Sequence, residues 1–335
     1  MESHPSSPET EVRSPEVESV KEVLHRARAE VAKVIIGQQA VVDQCLIAIF
    51  TGHHILIEGV PGIAKTLLVR TLAKVLGTDF SRIQFTPDLM PSDITGTNIF
   101  NLQEGAFHLV KGPVFTAFLL ADEINRAPAK TQSALLQAMQ ERQVTIDGVN
   151  HALPPSFTVF ATQNPIEYEG TYPLPEAQLD RFMFMIGVDY PTREEELAIA
   201  RTTTGGTPPP LAHVLTGERV MAFQELVRRV PVPDHIYEFA VDLVRRTRPF
   251  EADSPEWLKP LVGWGAGPRA VQYLILGAKA RAALYGSYMV RLEDVMEVAE
   301  PVLRHRVITT FTAESEGITS RTVALRLAEE LAKEN

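Results

Sequence analysis

Apolar positions between Val17 and Val34 recur at helical spacing, at Val20, Val23, Leu24, Ala27 and Val31, and predict an amphipathic helix. Before them, Met1 to about Glu16 is rich in Ser, Pro and Glu and is expected to be a disordered tail. A turn at Gly37 leads to a second helix through Ile49. The run His54-Ile55-Leu56-Ile57-Glu58 then predicts a buried strand. Leu67 to Leu76 returns to the helical period. Beyond it, strand patterns at Phe80–Phe85, Phe118–Asp122, Thr158–Thr162 and Phe182–Val188 are separated by helical stretches such as Thr131–Glu141. That alternation predicts an α/β domain, a parallel five-stranded sheet with helices on both faces. Two insertions interrupt it. Gly96–Val110 turns at Gly105 between short β-type runs, and Val144–Leu153 carries Asp147-Gly148, a hairpin signal.

Thr202–Pro210, with its threonines, glycines and prolines, predicts a linker. The helical patterns Gly217–Arg229, Pro233–Arg246, Pro268–Leu284, Leu292–Leu303 and Ser320–Lys333 follow, with no strong strand signal. The expected organisation is a tail over 1–16, an α/β domain over 17–200, a linker over 201–216 and a small all-α domain over 217–335.

Composition narrows the function. With 335 residues the chain has room for two cores, and 45% hydrophobic with 22% charged residues is ordinary for a globular protein. The formal net charge of −10 argues against nucleic acid as a partner, which usually leaves a basic footprint. The single cysteine, Cys45, forms no intrachain disulfide and reads as a core thiol. No apolar run approaches the roughly 18 residues that cross a bilayer, and no secretory signal opens the chain, so no membrane insertion and a cytoplasmic location are expected.

The chemistry is concentrated between a strand and a helix. Gly59-Val60-Pro61-Gly62-Ile63-Ala64-Lys65-Thr66, followed by Leu67, is a phosphate-binding loop in the required context. Glycines let successive N–H groups curl towards phosphate oxygens, and the next helix adds its unpaired donors and dipole. Lys65 reaches the β- and γ-phosphates and Thr66 is a Mg²⁺ ligand. Ala64 departs from the usual glycine. Leu119-Leu120-Ala121-Asp122-Glu123 is a strand ending in two acids. Alone it is consistent with a solvated strand end; downstream of a phosphate loop, Asp122 is placed to hold Mg²⁺ and Glu123 to act as general base on the attacking water. Asn164, after the strand Thr158–Thr162, either orients that water or begins the turn before Pro165. Arg181 either stabilises charge on a transferring phosphoryl group, often from a neighbouring subunit, or pairs with Asp180. Arg269 either contacts nucleotide from the helical domain or is solvated, and Arg126 is a third cationic candidate. His53 and His54 lack metal-ligand spacing and read as a turn before the strand.

In this order, these segments resemble the MoxR family of AAA+ ATPases. The resemblance also rests on Val34-Ile35-Ile36-Gly37-Gln38, Gly112-Pro113-Val114-Phe115, Ile124-Asn125-Arg126-Ala127-Pro128 and Gly267-Pro268-Arg269-Ala270, and it covers nearly everything after Val17. It implies an AAA+ P-loop domain with a small all-α lid. It implies adenine contacts at Ile36 and Gly37, Walker A at Lys65 and Thr66, Walker B at Asp122 and Glu123, and sensor 1 at Asn164. It also implies an arginine finger at Arg181 and sensor 2 at Arg269, acting on its own or a neighbouring site. Ala64 is usual in this family's loop. Gly96–Val110 resembles the helix-2 insert and Val144–Leu153 the hairpin before sensor 1, both expected to line a pore. The cofactors implied are ATP and Mg²⁺. The implied assembly is a homo-oligomeric ring, most often a hexamer, that acts on protein clients as a chaperone in their maturation or in cofactor insertion. A von Willebrand factor A domain partner is expected on a separate chain. The competing readings are a DNA-acting or magnesium-chelatase-like motor, and a nucleotide-gated scaffold that barely hydrolyses.

Overall fold

The computed structural model describes residues 14–164, 170–205 and 209–334. The tail to Arg13, Pro165 and part of the linker, 206–208, lie outside the described residues. Two helices, α1 (Ser14–Ala32) and α2 (Gln39–Thr51), precede β1 (Ile55–Gly59), α3 (Lys65–Val75) and β2 (Phe80–Gln84). A short α4 (Pro91–Thr95) leads into the hairpin β3 (Gly96–Asn101) and β4 (Ala106–Lys111), followed by β5 (Phe118–Asp122) and α5 (Ala129–Glu141). The second hairpin, β6 (Gln143–Ile146) and β7 (Val149–Ala152), is followed by β8 (Thr158–Gln163), α6 (Glu176–Leu179), β9 (Phe184–Val188) and α7 (Arg193–Thr204). The remainder comprises α8 (Gly217–Arg229), α9 (Asp234–Arg246), β10 (Val262–Trp264), α10 (Pro268–Leu284), α11 (Leu292–Leu303), β11 (Ile308–Thr309), α12 (Phe311–Ser315) and α13 (Ser320–Glu334).

The central sheet has the order β2-β5-β8-β1-β9, and every neighbouring pair is parallel. Alternation along each strand divides the core. Ile55, Ile57, Phe118, Leu120 and Phe160 join one apolar cluster with α1, α2, α3 and the C-terminal helices. Leu56, Leu119, Val159 and Ala161 face the other, against α5 and the second hairpin. Both sides of the sheet are covered, which is why β5 is buried at every position. The register aligns the carboxyl ends of the middle strands: Glu58 is level with Gln163, and Ala121 with Ala161. Whatever follows β1, β5 and β8 is thus delivered to one edge.

Several expectations need correction. The first helix begins at Ser14, three residues inside the expected tail, with Pro15 and Glu16 in its first turn, where both residue types are favoured. The expected linker begins inside α7, a helix that the polar Thr-rich pattern conceals. Thr202, Thr203 and Thr204 donate their hydroxyls to the carbonyls of Ala198, Ile199 and Ala200 at 2.6–2.8 Å. The C-terminal domain is mostly helical but carries the two-stranded ladder β10–β11, whose strands are too short to register as a period. It does not stand apart, since α10 and α8 pack on α2, with Phe50 against Phe223 edge-on at 5.7 Å.

The inserted hairpins form as expected, with Asp147 and Gly148 at φ 49° and 80° in the second turn. Cys45 is fully buried, and burial pushes its thiol up. His54 is a buried tie rather than a turn residue. Its Nδ1 accepts from the Val159 N–H at 3.0 Å and its Nε2 meets the Met139 carbonyl at 3.2 Å; burial pushes the ring down to about 3.

Candidate active site

The loop after β1 is shaped by contacts that only particular residues tolerate. A Cβ on Gly59 would stand 2.7 Å from the Val188 carbonyl oxygen, so glycine is required there. Ala64 sits at φ 62°, the left-handed conformation usually given to glycine, as the residue preceding α3. An alanine held there costs about 1–2 kcal/mol. The strain delivers the next residues to the cavity: α3 starts at Lys65, whose Nζ donates back across the loop to the Gly59 carbonyl at 2.6 Å.

One cavity of about 430 Å³ gathers Pro61, Gly62, Ala64, Lys65, Thr66 and Leu67 with Asp122, Glu123 and Asn164. The first acid is nearly buried. Asp122 Oδ1 accepts from Thr162 Oγ1 at 2.6 Å, and its Oδ2 accepts from Arg82 at 2.7 and 3.1 Å. Thr66 Oγ1 lies 3.5 Å from the same Oδ2. The second acid is positioned by an unusual backbone: Glu123 has φ 56°, held by its N–H donating to Thr162 Oγ1 at 2.8 Å. Its Oε2 accepts from Gln84 Nε2 at 2.7 Å and from Arg126 Nη1 at 3.0 Å. The Thr162 hydroxyl thus ties both acids to the strand that ends beside Asn164.

A second cavity of about 460 Å³ shares Pro61, Gly62, Ala64 and Leu67 with the first. Its walls are mostly apolar, with Val34, Ile35, Ile36 and Ile63 on one side and Tyr190, Ile199 and Thr203 on another. An apolar chamber opening into a polar one suits a flat base joined to phosphates. Ile36 lines this chamber. Gly37 does not; it lies against Glu195, the residue that closes the capping box of α7 with Thr192. Gly59 and Val60 shape the loop without lining either cavity, and Val60 packs on the core.

Arg181 and Arg269 are placed elsewhere. Phe184 is level with Ile55, at the amino end of β1, whereas the phosphate loop leaves its carboxyl end at Gly59. Four residue steps separate the two levels, roughly 13 Å, and Arg181 lies three residues further back. Its Nη1 donates to the Leu136 carbonyl at 3.0 Å. Arg269 meets Asp180 Oδ2 at 2.8 Å, while Arg306 takes Oδ1 at 2.8 Å. Asp180 is therefore held by two arginines distant in sequence, in place of the expected pair with its neighbour Arg181. Arg126 is in turn engaged with Glu123.

Sequence reasoning missed Arg82, Gln84 and Thr162, which hold the acids, and the α7 wall of the apolar chamber. Arg82 and Gln84 alternate on one face of β2, which the two-residue period signals. That this face meets the acids depends on β2 lying beside β5, which sequence does not reveal.

The strand order, with the phosphate loop on the inner strand β1 beside the edge strand β9, acids on the next strand but one and a helical domain behind, defines an AAA-type ATPase. Family comparisons agree. Residues 54–184 match the ATPase family associated with various cellular activities, and 257–325 match the AAA lid domain. Chaperone MoxR1 of Mycobacterium tuberculosis is 46% identical over 92% of this chain and 82% of its own length. YeaC of Bacillus subtilis, itself uncharacterized, is 41% identical over 91% and 93%, and Protein MoxR of Methylorubrum extorquens is 32% identical over 84% and 86%. A crystal structure from Cytophaga hutchinsonii superposes with a TM-score of 0.87 at 43% identity, over 94% of this chain and 96% of that one. The chain belongs to the MoxR family of AAA+ ATPases and is an ATP hydrolase. No helix among the described residues is long and apolar enough to cross a membrane.

Proposed function

We propose that this chain assembles into a cytoplasmic ring, in the hexameric manner usual for the family, and hydrolyses ATP at shared sites to remodel or mature protein clients. The observation that carries this reading is the distance of Arg181 and Arg269 from the chain's own phosphate cavity. Neither lines it, yet phosphoryl transfer is accelerated by a cation on the transferring group. A neighbouring copy supplies both: Arg181 as finger and Arg269 as sensor 2 acting in trans.

Within one subunit, placement supports a role for each residue. Ile36 and the rest of the apolar chamber take the base. Lys65 leaves the Gly59 carbonyl for the β- and γ-phosphates, to which the loop N–H groups contribute. The Thr66 hydroxyl and the Asp122 carboxylate are adjacent hard oxygen donors, fit to hold Mg²⁺, which when bound neutralises phosphate charge. Glu123 takes the proton of the attacking water and Asn164 orients that water. Gln84 and Arg126, which occupy Glu123 Oε2, must yield part of it for this to happen.

Exposed apolar groups on the hairpins support the reading of protein clients; the von Willebrand factor A domain partner rests on the family resemblance alone. Ile99, Phe100, Leu102 and Phe107 are exposed on the β3–β4 hairpin, and Asn98 donates to Asp147 of the second hairpin at 2.8 Å, which ties the two hairpins together. Such a pair of hairpins lining the pore grips apolar segments of a client.

The test is ATP turnover per subunit against protein concentration, followed with light scattering. Turnover should rise several-fold over the range in which assembly occurs; a turnover that stays constant from monomer to ring overturns the shared site. A second prediction concerns Arg82. Its pairing with Asp122 opposes a dication at the same carboxylate, and for a half-exposed partner the pair is worth about 0.5–1 kcal/mol. Arg82→Ala should lower the Mg²⁺ concentration that half-saturates binding of a fluorescent ATP analogue by about two- to fivefold. An unchanged or higher requirement would show that Arg82 supports the site instead.

A further inference from the structure

Three residues stand level where the sheet meets the phosphate loop. Glu58 of β1 is level with Gln163 of β8 on one side and with Gly187 of the edge strand β9 on the other. Parallel neighbours at one level present their side chains to the same face, so these positions form a row. The place without a side chain is filled from the helical domain. A Cβ on Gly187 would overlap the guanidinium of Arg304, which crosses β9 there and donates from Nη2 to Glu58 Oε2 at 3.4 Å. The other carboxylate oxygen, Oε1, accepts from Gln163 Nε2 at 3.1 Å. Arg304 is itself held from behind. Ser320 Oγ, at the start of α13, donates to its carbonyl at 2.7 Å, and Glu300 Oε1 lies 3.6 Å from its Nη1. Both members of the Glu58–Arg304 pair are largely buried, so the pair is screened less than one on the surface.

We infer that Arg304 and Glu58 are positioning residues for hydrolysis: through Gln163 they fix the end of β8, and with it the side-chain amide of Asn164 against the attacking water. The inference rests on the role proposed above for Asn164 and adds what holds that residue in place. Glu58 and Gln163 each stand one residue before a working part of the site. After Glu58 comes Gly59, whose carbonyl receives Lys65; after Gln163 comes Asn164, nearly buried in the wall of the phosphate cavity. Neither Glu58 nor Arg304 is among the described residues that line this cavity, so both act through their neighbours. The end of β8 depends on this tie. Its ladder with β5 stops at Ala161, and among the described residues β1 is the strand still paired at Gln163. An amide that orients a water must be placed closely, since a displacement of about 1 Å from a remote change costs up to about 10²-fold in rate. One carboxylate thus joins the strand before the phosphate loop, the strand before Asn164 and the helical domain.

The experiment measures single-turnover phosphate release, with the full chain in excess over ATP, beside affinity for a fluorescent ATP analogue. Two variants break the pair in different ways. Arg304→Gln keeps most of the stem over Gly187 and removes the charge. Gly187→Ala leaves both charges and pushes the guanidinium aside, into a cavity of about 940 Å³ that Arg304 lines with Thr319 and Ser320. Each should slow the single-turnover rate by about ten- to a hundredfold, with affinity and circular dichroism unchanged. Gly187→Ala alone decides if Arg304→Gln does not fold. Asn164→Ala is measured alongside, and adding Arg304→Gln to it should cost less than about twofold more, because both act at one point. Lowered melting temperatures with wild-type single-turnover rates would make the pair a structural tie only and overturn the inference. So would losses that multiply fully in the double variant, since Arg304 would then act elsewhere. Asn164→Ala turning over like wild type removes the reading of Asn164 itself, and this inference with it. Loss in Asn164→Ala alone, with Arg304→Gln and Gly187→Ala at wild-type rates, overturns only the inference.

Discussion

Glu123→Gln should reduce ATP turnover by about 10²- to 10⁴-fold while nucleotide affinity changes by no more than a few-fold. The substitution keeps the shape and the hydrogen bond to Gln84, and removes the ability to take a proton. Among the described residues lining the cavity, the other carboxylate, Asp122, has one oxygen on the Thr162 hydroxyl and the other on Arg82. The backbone supports the same assignment. Glu123 is a non-glycine residue at φ 56°, a conformation that costs of order 1–3 kcal/mol and persists only where its surroundings enforce it. Strain of that kind at the end of β5 aims the carboxylate into the cavity. Glu123→Gly separates the two effects, since glycine relieves the strain and ends the chemistry. It should match or exceed the wild-type melting temperature and lose turnover as completely as the glutamine variant. Phosphate release and binding of a fluorescent ATP analogue, measured side by side, decide the matter. Turnover within tenfold of wild type, or affinity lost in parallel with turnover, would remove Glu123 from the role of base. The glutamine variant also stalls the cycle with nucleotide bound, which makes it the form in which a client should be held longest.

What could be read from the sequence and what could not divide along a physical line. Features set by local chemistry were legible: the phosphate loop, the acids at the end of β5, the Asp147-Gly148 turn, and C-terminal helices whose apolar faces announce their period. α7 was concealed because none of its residues is buried, so no apolar stripe marks it, and its threonines favour helix only once their hydroxyls bond back to the preceding turn. The partners of the site residues depend on the order of strands and on long-range packing. Arg82 reaches Asp122 because β2 lies beside β5. Asp180 attracts Arg269 and Arg306, 89 and 126 residues further on, although Arg181 is adjacent in sequence. Pairing with a neighbour in sequence was the simplest expectation, and the tertiary structure outweighed it. The same placement carries information the sequence lacked. It puts Arg181 and Arg269 together, on the far side of the sheet from their own phosphate loop.

Arg181→Ala should lower turnover by about 10³-fold or more, the range for removal of an arginine that stabilises a transferring phosphoryl group. Lys65→Ala should do the same by emptying the phosphate loop of its cation. Each homogeneous ring is then silent for a different reason: one lacks the finger at every site, the other lacks the site itself. In a head-to-tail ring, each composite site takes its loop from one subunit and its finger from the next. When the two variants are mixed in equal amounts, half of the loops are intact and half of the fingers facing them are intact. About a quarter of the sites are therefore complete, and turnover should recover to about a quarter of wild type. If Arg181 acted within its own chain, every subunit would carry one defect and no mixture would recover. The geometry favours the first outcome, because Arg181 donates to the Leu136 carbonyl on the opposite edge from Lys65 and has roughly the whole height of the sheet to cross. Subunit exchange between labelled rings establishes that mixing has occurred. No recovery in rings so mixed would return Arg181 to a structural role, holding α5 against the start of β9, and would leave the phosphate cavity to find its second cation within one chain.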